Sequence, residues 1–249
     1  LKQQLERALE RGRAAVLLER AERLYRQFVA ADGIASEFDV VVLLTSMGGV
    51  RALPIVLERL PREFPAAVII VQHRALTAHA DGFIELLQRR CRLPLHAAVD
   101  DQVLGPGEVF VAPADRQLVV DDDRVARLRA TTGRPSGDVV LASAAAAFGS
   151  RTIGVVLTGR LDDGAAGVRA VKGAGGRVLA QEPTDSVAAG MPSAALSTGC
   201  VDFVLPSDVI GDALVALTMA PGAAELLRVP TPHWAGSLPP RSVLPTSAA

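Results

Sequence analysis

Short runs of Val, Ile and Leu alternate with longer amphipathic segments between residues 38 and 218. The runs have the length and the β-branched composition of buried strands, and the segments between them have the length of helices. This alternation predicts an α/β fold with a doubly wound, mainly parallel sheet and helices on both faces, a three-layer α/β/α arrangement. The predicted strands are VVVLL, AAVIIVQ, EVFVA, TIGVVLTG and RVLAQ.

One segment departs from this alternation. Residues 116–128, RQLVVDDDRVARL, contain two alternating runs on either side of three aspartates, Asp121 to Asp123. Two such runs joined by a short polar turn are typical of an antiparallel hairpin. We therefore expect one β-hairpin in addition to the parallel sheet.

The two ends of the chain have a different pattern. Residues 1–31 place leucines near helical spacing among seven Lys/Arg and four Glu, and DGIASE follows at residues 32–37, so residues 1–37 are predicted to form an amphipathic helix and a hinge. The basic character of this helix leaves a membrane surface or an acidic partner open, although a solvated helix face is the simpler interpretation. Residues 219–249 are rich in Pro and Ser and are expected to form a disordered tail.

Composition narrows the function classes. The 26 Lys+Arg against 27 Asp+Glu give no basic excess, which argues against nucleic acid as a partner. Cys91 and Cys200 are far apart and match no metal-binding spacing, so we expect reduced thiols in a cytoplasmic protein. No apolar stretch reaches the ~18 residues that a membrane-spanning helix needs, so stable membrane insertion is not expected.

Polar residues follow three of the predicted strands. Ser46 follows the first strand, His73 follows the second, and Asp162 and Asp163 follow TIGVVL. In doubly wound sheets the ligand lies beyond the carboxyl ends of the strands, where these side chains are expected to meet. A serine, a histidine and an aspartate are the groups of an acyl-transfer triad, in which the imidazole takes the hydroxyl proton and the carboxylate stabilises the imidazolium.

Each of these residues has a simpler structural interpretation. Ser46 could cap the following helix, with Gly48 and Gly49 easing a crowded turn, and either aspartate could cap the helix that follows it.

Other kinds of site do not fit the sequence. The stretch SMGG matches neither the Walker pattern nor the G-x-G-x-x-G pattern of phosphate-binding loops. The spacing of His73 and His79 fits no zinc motif, so no metal site is expected. The order Ser, His, Asp also differs from that of the α/β-hydrolases.

Several motifs in one order resemble the catalytic domain of the CheB family, the chemotaxis protein-glutamate methylesterases. They extend over about residues 38–217 and are SMGG, VQH, GPGEVFVAPADRQL, RPSGDV, GVVLTGRLDDGAAG, AQEPTDSVAAGMPSAAL and VDFVLP. The resemblance implies that Ser46 is the nucleophile, that His73 is the general base and acid, and that Asp163 orients the histidine. Asp162 then occupies a variable position.

The resemblance also implies a substrate and a binding loop. The substrates would be γ-glutamyl methyl esters of chemoreceptor helices and, as a second activity, glutamine side-chain amides. No cofactor would be required, and a phosphorylated receiver domain would be the regulator. The implied substrate-binding and oxyanion loop contains Met47, Gly48, Gly49, Gly159, Arg160, Leu161 and Met191.

The chain departs from the family pattern beside the implied active site. Arg160 and Leu161 stand where the family has Met and Gly, and Arg74 and Ala75 replace the Met-Pro that usually follows the histidine. Two alternatives therefore remain open. One is a non-catalytic binding module on the same fold, and the other is an esterase for a different substrate.

Overall fold

The computed structural model describes residues 36–74, 81–220, 222–226 and 228–231. The helix and hinge expected in residues 1–37 lie outside the described residues except for residues 36 and 37, and most of the expected tail lies outside them as well. The packed domain extends past the expected boundary at residue 218, because Ala220 and Ala223 are buried in the core. The domain boundaries themselves stay predictions.

A seven-stranded sheet forms the centre of the molecule, in the order β10-β9-β8-β1-β2-β5-β3. Every neighbouring pair in it is parallel, which confirms the predicted doubly wound sheet. All five predicted strands are present; the short strands β3 and β10 are additional. The strands are β1 Val40–Thr45, β2 Ala67–Gln72, β3 Leu95–Ala97, β5 Val109–Val111, β8 Thr152–Val156, β9 Arg177–Gln181 and β10 Phe203–Leu205.

A small antiparallel sheet contains the predicted hairpin. Strand β6, Arg116–Val120, pairs with β7, Val125–Ala130, and the short strand β4, Gln102–Val103, joins the other edge of β7. The Asp121 side chain accepts the N–H of Val125 at 3.0 Å and thereby closes the turn. The hairpin prediction is confirmed. Strand β4 was not predicted, because two residues are too few to give a periodic pattern.

Helices cover both faces of the large sheet, and two apolar layers separate them from it. On β1, Val41 and Leu43 face one layer, and Val40, Val42 and Leu44 face the other. Helices α1, α2 and α6 contribute to the first layer, and α3, α4 and α5 to the second. The helices are α1 Gly49–Leu57, α2 Asp81–Gln88, α3 Gly137–Phe148, α4 Ala165–Gly173, α5 Gly190–Ser197, α6 Ser207–Met219 and α7 Ala223–Leu226.

The order in which strands are added to the sheet reverses between β1 and β8, which makes this the topological switch point. Strand β1 pairs with β2 on one side and with β8 on the other, and the chain fills the β2 side before it returns to β8. A crevice forms at the carboxyl ends of the strands at such a switch point and is the usual ligand site. None of the helices in the described ranges is both long and apolar enough to cross a membrane.

Candidate active site

Ser46 lies at the switch point, directly after the last residue of β1. Its N–H donates to the carbonyl oxygen of Thr158 at 3.0 Å, which ties the turn to the end of β8. Its carbonyl oxygen accepts the amide of Gln72 at 2.8 Å, which ties the turn to the end of β2. The predicted nucleophile is therefore half-buried and held from both neighbouring strands.

The two glycines after Ser46 are required by close packing. Gly48 has a φ of 93°, and a Cβ there would lie 2.7 Å from Cβ of Val187. A Cβ at Gly49 would lie 2.0 Å from Oε1 of Gln72. Because no side chain fits at either position, the turn after Ser46 can pack directly against its neighbours only with glycine.

Two backbone N–H groups beside Ser46 have no hydrogen-bond acceptor among the described residues. Within the described ranges, the N–H groups of Met47 and Gly48 donate to no other residue, whereas that of Gly49 donates to Ser46. Both lie at the start of α1, for which Gly48 is the N-cap. Free N–H groups at a helix N-terminus attract negative charge, so this turn supplies donors for an oxyanion.

His73 lies beside Ser46 because of the strand register. Thr45 of β1 pairs with Gln72 of β2, and the N–H of His73 donates to the carbonyl oxygen of Thr45 at 3.0 Å. Gln72 also donates its amide to the carbonyl oxygen of His73 at 2.9 Å. The Gln72 side chain therefore joins the backbones of Ser46 and His73, a function that sequence reasoning missed although VQH was noted.

His73 approaches Asp163, the predicted orienting carboxylate. Nε2 of His73 lies 2.9 Å from Oδ2 of Asp163, and the imidazole is only 8% exposed. The ring N–H does not point straight along that line, so the contact is a close but bent approach. Asp162, the other candidate, is exposed and takes no part in this contact.

The first turn of α3 holds the Asp163 carboxylate. Oδ1 accepts the Ser136 hydroxyl at 2.8 Å, and Oδ2 accepts the N–H of Gly137 at 2.7 Å. Burial favours the neutral acid, but the contact with His73 and the donors of Gly137 and Ser136 outweigh it, so the pKa of Asp163 is lowered from its usual value. At neutral pH this residue is an anion. Ser136 comes from RPSGDV, a motif to which sequence reasoning assigned no function.

The loop after β8 closes the site on the side away from His73. Gly159 donates its N–H to Ala188 and accepts that of Met191, both at 2.9 Å. A Cβ at Gly159 would lie 2.9 Å from Cβ of Ser46 and 2.0 Å from Sδ of Met191. Met191 is fully buried, so it supports this loop from below and does not line the open surface.

Arg160 and Leu161 form the outer edge of this loop, and both are exposed. Leu161 is 78% exposed and has a φ of 66°, a backbone conformation that is uncommon for a leucine. The turn lies directly on Gly190, where a Cβ would come within 2.7 Å of the Leu161 nitrogen. The backbone therefore holds an apolar side chain out into solvent at the edge of the site.

Side chains near the site form an exposed apolar rim, defined here as Met47, Val50, Leu161 and Val187. Met47 is held by its carbonyl oxygen, which accepts the Thr158 hydroxyl at 2.8 Å. That hydroxyl accepts the N–H of Ala188 at 2.9 Å, and the N–H of Thr158 donates to Gln181. Thr158 and Gln181 therefore support the rim from inside, a function that the motifs containing them did not indicate.

A shallow depression adjoins His73. Its walls include two cationic side chains, Arg74 and Arg134, and none of the lining residues that the structure describes is a carboxylate. The Arg74 guanidinium lies 4.8 Å from the ring centre of Phe83, which fixes its position. Among the described residues, no group of three or more His, Cys, Asp and Glu side chains is arranged to hold a metal ion.

The CheB methylesterase family model matches residues 41–214, which include the turn at Ser46, His73 and Asp163. This chain belongs to the CheB methylesterase family. The resemblance predicted from the sequence motifs is therefore confirmed, and the match extends over nearly the whole predicted domain.

Curated proteins of this family are similar over about three quarters of this chain. A protein-glutamate methylesterase/protein-glutamine glutaminase of Anaeromyxobacter dehalogenans is 43% identical over 193 residues, which are 76% of this chain and 56% of the relative. The protein-glutamate methylesterase FrzG of Myxococcus xanthus is 37% identical, over 72% of this chain and 54% of the relative. The chain therefore spans about half the length of the curated relatives it matches.

A solved structure gives the same result for the fold. The crystal structure of the Thermotoga maritima CheB methylesterase catalytic domain superimposes with a TM-score of 0.68 at 32% identity. The match includes 72% of this chain and 98% of that domain. The predicted α/β architecture is thus confirmed as the fold of the CheB catalytic domain.

Proposed function

We propose that this chain is a serine hydrolase that demethylates γ-glutamyl methyl esters of chemoreceptor helices and also deamidates glutamine side chains. The relatives whose names state these two activities support the substrate class. The observation that carries the proposal is the approach of His73 to Asp163, at 2.9 Å, beside the turn that presents Ser46.

The first half of the reaction forms an acyl-enzyme. Ser46 Oγ attacks the ester carbonyl carbon, and its proton passes to the His73 ring nitrogen that does not face Asp163. The N–H groups of Met47 and Gly48 stabilise the oxyanion of the tetrahedral intermediate. When the carbon–oxygen bond to the methoxy group breaks, His73 returns the proton and methanol leaves; with a glutamine substrate, ammonia leaves instead.

The second half releases the glutamate. A water molecule gives a proton to His73 and attacks the acyl carbon, and His73 then returns this proton to Ser46 Oγ as the ester bond to the enzyme breaks. Asp163 stays ionised throughout, because its lowered pKa keeps the negative charge that stabilises the imidazolium in both halves. These steps use the side chains and backbone of this chain and require no cofactor.

The rim supports a helical, acidic partner. Its four apolar side chains surround the turn at Ser46 and Gly159, and two exposed cations accompany them, Arg51 in the first turn of α1 and Arg160 on the loop after β8. An amphipathic receptor helix with acidic residues around the esterified glutamate has the complementary pattern.

We place the protein in the cytoplasm, where its buried free thiols, Cys91 and Cys200, are stable. A phosphorylated receiver domain is the proposed regulator.

The edge at Arg160 and Leu161 favours one narrower alternative, an esterase for a different substrate. A leucine in place of glycine narrows the entrance, and an arginine in place of methionine adds a cation near the reacting carbon. A narrower entrance to the active site leaves the proposed triad of Ser46, His73 and Asp163 intact. The alternative esterase would therefore act on a different substrate by the same reaction.

Release of methanol from a methylated chemoreceptor tests the proposed function. We expect turnover of the methylated receptor, and ammonia release from a receptor that carries glutamine at the same sites. Hydrolysis of small methyl esters with no turnover of the receptor would favour the alternative esterase. Absence of turnover on every ester and amide would leave the binding-module interpretation.

A further inference from the structure

Behind His73, the N-termini of helices α3 and α4 each donate N–H groups to a carboxylate of the other segment. Asp138, in the first turn of α3, accepts the N–H of Gly167 in the first turn of α4 at 2.7 Å. Asp163, directly before α4, accepts the N–H groups of Gly137 at 2.7 Å and of Asp138 at 3.2 Å in α3. Each helix therefore receives its capping anion from the segment that leads into or opens the other.

This exchange determines where Asp163 lies. Both of its oxygens are held by the start of α3, and the Asp138 contact with Gly167 joins α3 to α4 at this end, in addition to the packing of Leu141 against Gly167. A shift between the two helices would move the carboxylate along the imidazole edge. Since the approach to His73 is already bent, a small displacement of the carboxylate would weaken this contact further.

Asp138 also places a second negative charge behind Asp163. Burial and then the charge of Asp163 raise the pKa of Asp138 to about 6, against N–H donors that lower it, chiefly that of Gly167. Asp138 is therefore an anion in neutral solution. The other charged side chains on the elements that pack against α3 are Arg116, Arg151, Arg169 and Lys172, of which Arg151 pairs with Asp39 and Lys172 with Asp202.

We propose that Asp138 is a positioning residue for the hydrolase, which fixes Asp163 against His73 and adds negative potential that favours the imidazolium. This inference rests on the proposed function of Ser46, His73 and Asp163. Asp138 touches neither the imidazole nor the open face of the site, so it acts through Asp163. Its charge has a direct consequence, because removing an anion behind an ion pair makes protonation of the imidazole less favourable.

The variant Asp138→Asn tests this inference, since an amide oxygen can still accept the Gly167 N–H without the charge. The matched control is Asp208→Asn, which removes an exposed first-turn carboxylate from α6, on the opposite face of the sheet from α3. We expect kcat/KM of Asp138→Asn to fall about tenfold, mostly in kcat, and the acid limb of its pH profile to move about half a pH unit lower. Asp208→Asn should match wild type in both.

Two further measurements separate this positioning function from a structural one. Thermal unfolding at pH 8 should show Asp138→Asn no less stable than wild type, because the variant removes a half-buried charge. Asp138→Ser, which keeps a capping oxygen, should lose activity in the same way. Wild-type rates and an unshifted acid limb in both variants would overturn the inference, as would a loss of activity that only follows a loss of stability.

An NMR titration of the His73 ring gives a readout that does not depend on turnover. The signal is assigned with His73→Gln, and its midpoint is compared in wild type, Asp138→Asn and Asp208→Asn. We expect a lower midpoint in Asp138→Asn alone; equal midpoints would overturn the inference. If wild type hydrolyses nothing while the midpoint still moves, the proposed function fails and the coupling between Asp138 and His73 stands.

Discussion

Oδ2 of Asp163 lies 2.9 Å from Nε2 of His73 while it accepts the N–H of Gly137 at 2.7 Å. One carboxylate oxygen thus joins the end of β2 to the start of α3. The pKa of Asp163 is lowered although burial opposes ionisation, so the charge is kept where an imidazolium would form. The neighbouring Asp162 shares none of these contacts because its side chain is exposed.

Asp163→Asn should therefore reduce kcat by several orders of magnitude. The amide removes the negative charge that stabilises the imidazolium and favours the wrong tautomer of the ring. Asp162→Asn is the matched control and should change kcat less than about twofold. The measurement is steady-state methanol release. A larger effect at residue 162 than at residue 163 would contradict this assignment.

Gly49→Ala should destabilise the protein and disturb the turn at Ser46. The added Cβ would lie 2.0 Å from Oε1 of Gln72, a buried side chain that holds the backbones of Ser46 and His73. We expect a loss of about 2 kcal/mol in the free energy of unfolding, together with reduced kcat.

Gly82→Ala is the control for this substitution. It adds the same methyl group in α2, where a Cβ meets nothing within 4 Å. The control should be neutral or more stable by up to about 1 kcal/mol. Equal stabilities for Gly49→Ala and Gly82→Ala in urea unfolding would show that the turn tolerates a side chain.

Leu161→Gly, combined with Arg160→Met, should change kcat/KM on a methylated receptor by about tenfold or more. The glycine alone should also raise the free energy of unfolding by up to about 1 kcal/mol, because Leu161 has a φ of 66° that glycine adopts without strain. Val103→Ala, at an exposed apolar residue in the small sheet, is the control and should leave kcat/KM unchanged. A double variant with wild-type kcat/KM would show that the loop does not affect substrate choice.

The pH dependence of stability should reveal Asp138. Its pKa is about 6 in the folded protein and near 3.8 in the unfolded chain, so between these values the folded state binds more protons. The contribution of this group is therefore fully present below about pH 4 and is lost as the pH rises through about 6. The lowered pKa of Asp163 acts in the opposite sense, because its contribution is lost only as the pH falls below its usual value.

Thermal melting of wild type and Asp138→Asn is compared at pH 4.5 and at pH 7.5, below and above the raised pKa of Asp138. The comparison separates the contribution of Asp138 to stability from that of other groups. Other titrating groups largely cancel in the difference between the two proteins. The melting temperature of Asp138→Asn relative to wild type should be higher at the upper pH. A difference that is independent of pH would contradict the raised pKa.

The sequence predicted the sheet well because its five predicted strands are almost wholly buried and form continuous apolar runs, including β5, which has only three residues. Strands β3, β4 and β10 have only two or three residues each and give no periodic signal of their own. The hairpin was visible because two alternating runs flank Asp121–Asp123. Burial therefore decided which of the short strands could be predicted, because β5 is fully buried whereas β3, β4 and β10 are partly exposed.

The proposed site was predictable only where residues follow strands. Ser46 and His73 stand at strand ends, but the choice of Asp163 over Asp162 came from the family resemblance and not from spacing. Gln72, Ser136 and Asp138 were missed as supporting residues because their contacts join segments that are distant along the chain. Such contacts depend on how α3 and α4 pack, which no local pattern encodes.

Mass spectrometry of the protein, intact and after proteolysis, during turnover of a slow acyl substrate tests the central claim most directly. If Ser46 is the nucleophile, wild type should accumulate one acyl group on the peptide that contains Ser46, and Ser46→Ala should carry none and lose about 10³-fold or more of the rate. Ser197→Ala, at an exposed serine of α5, should behave as wild type. An acyl group on another residue, or equal rates for wild type and Ser46→Ala, would contradict the account.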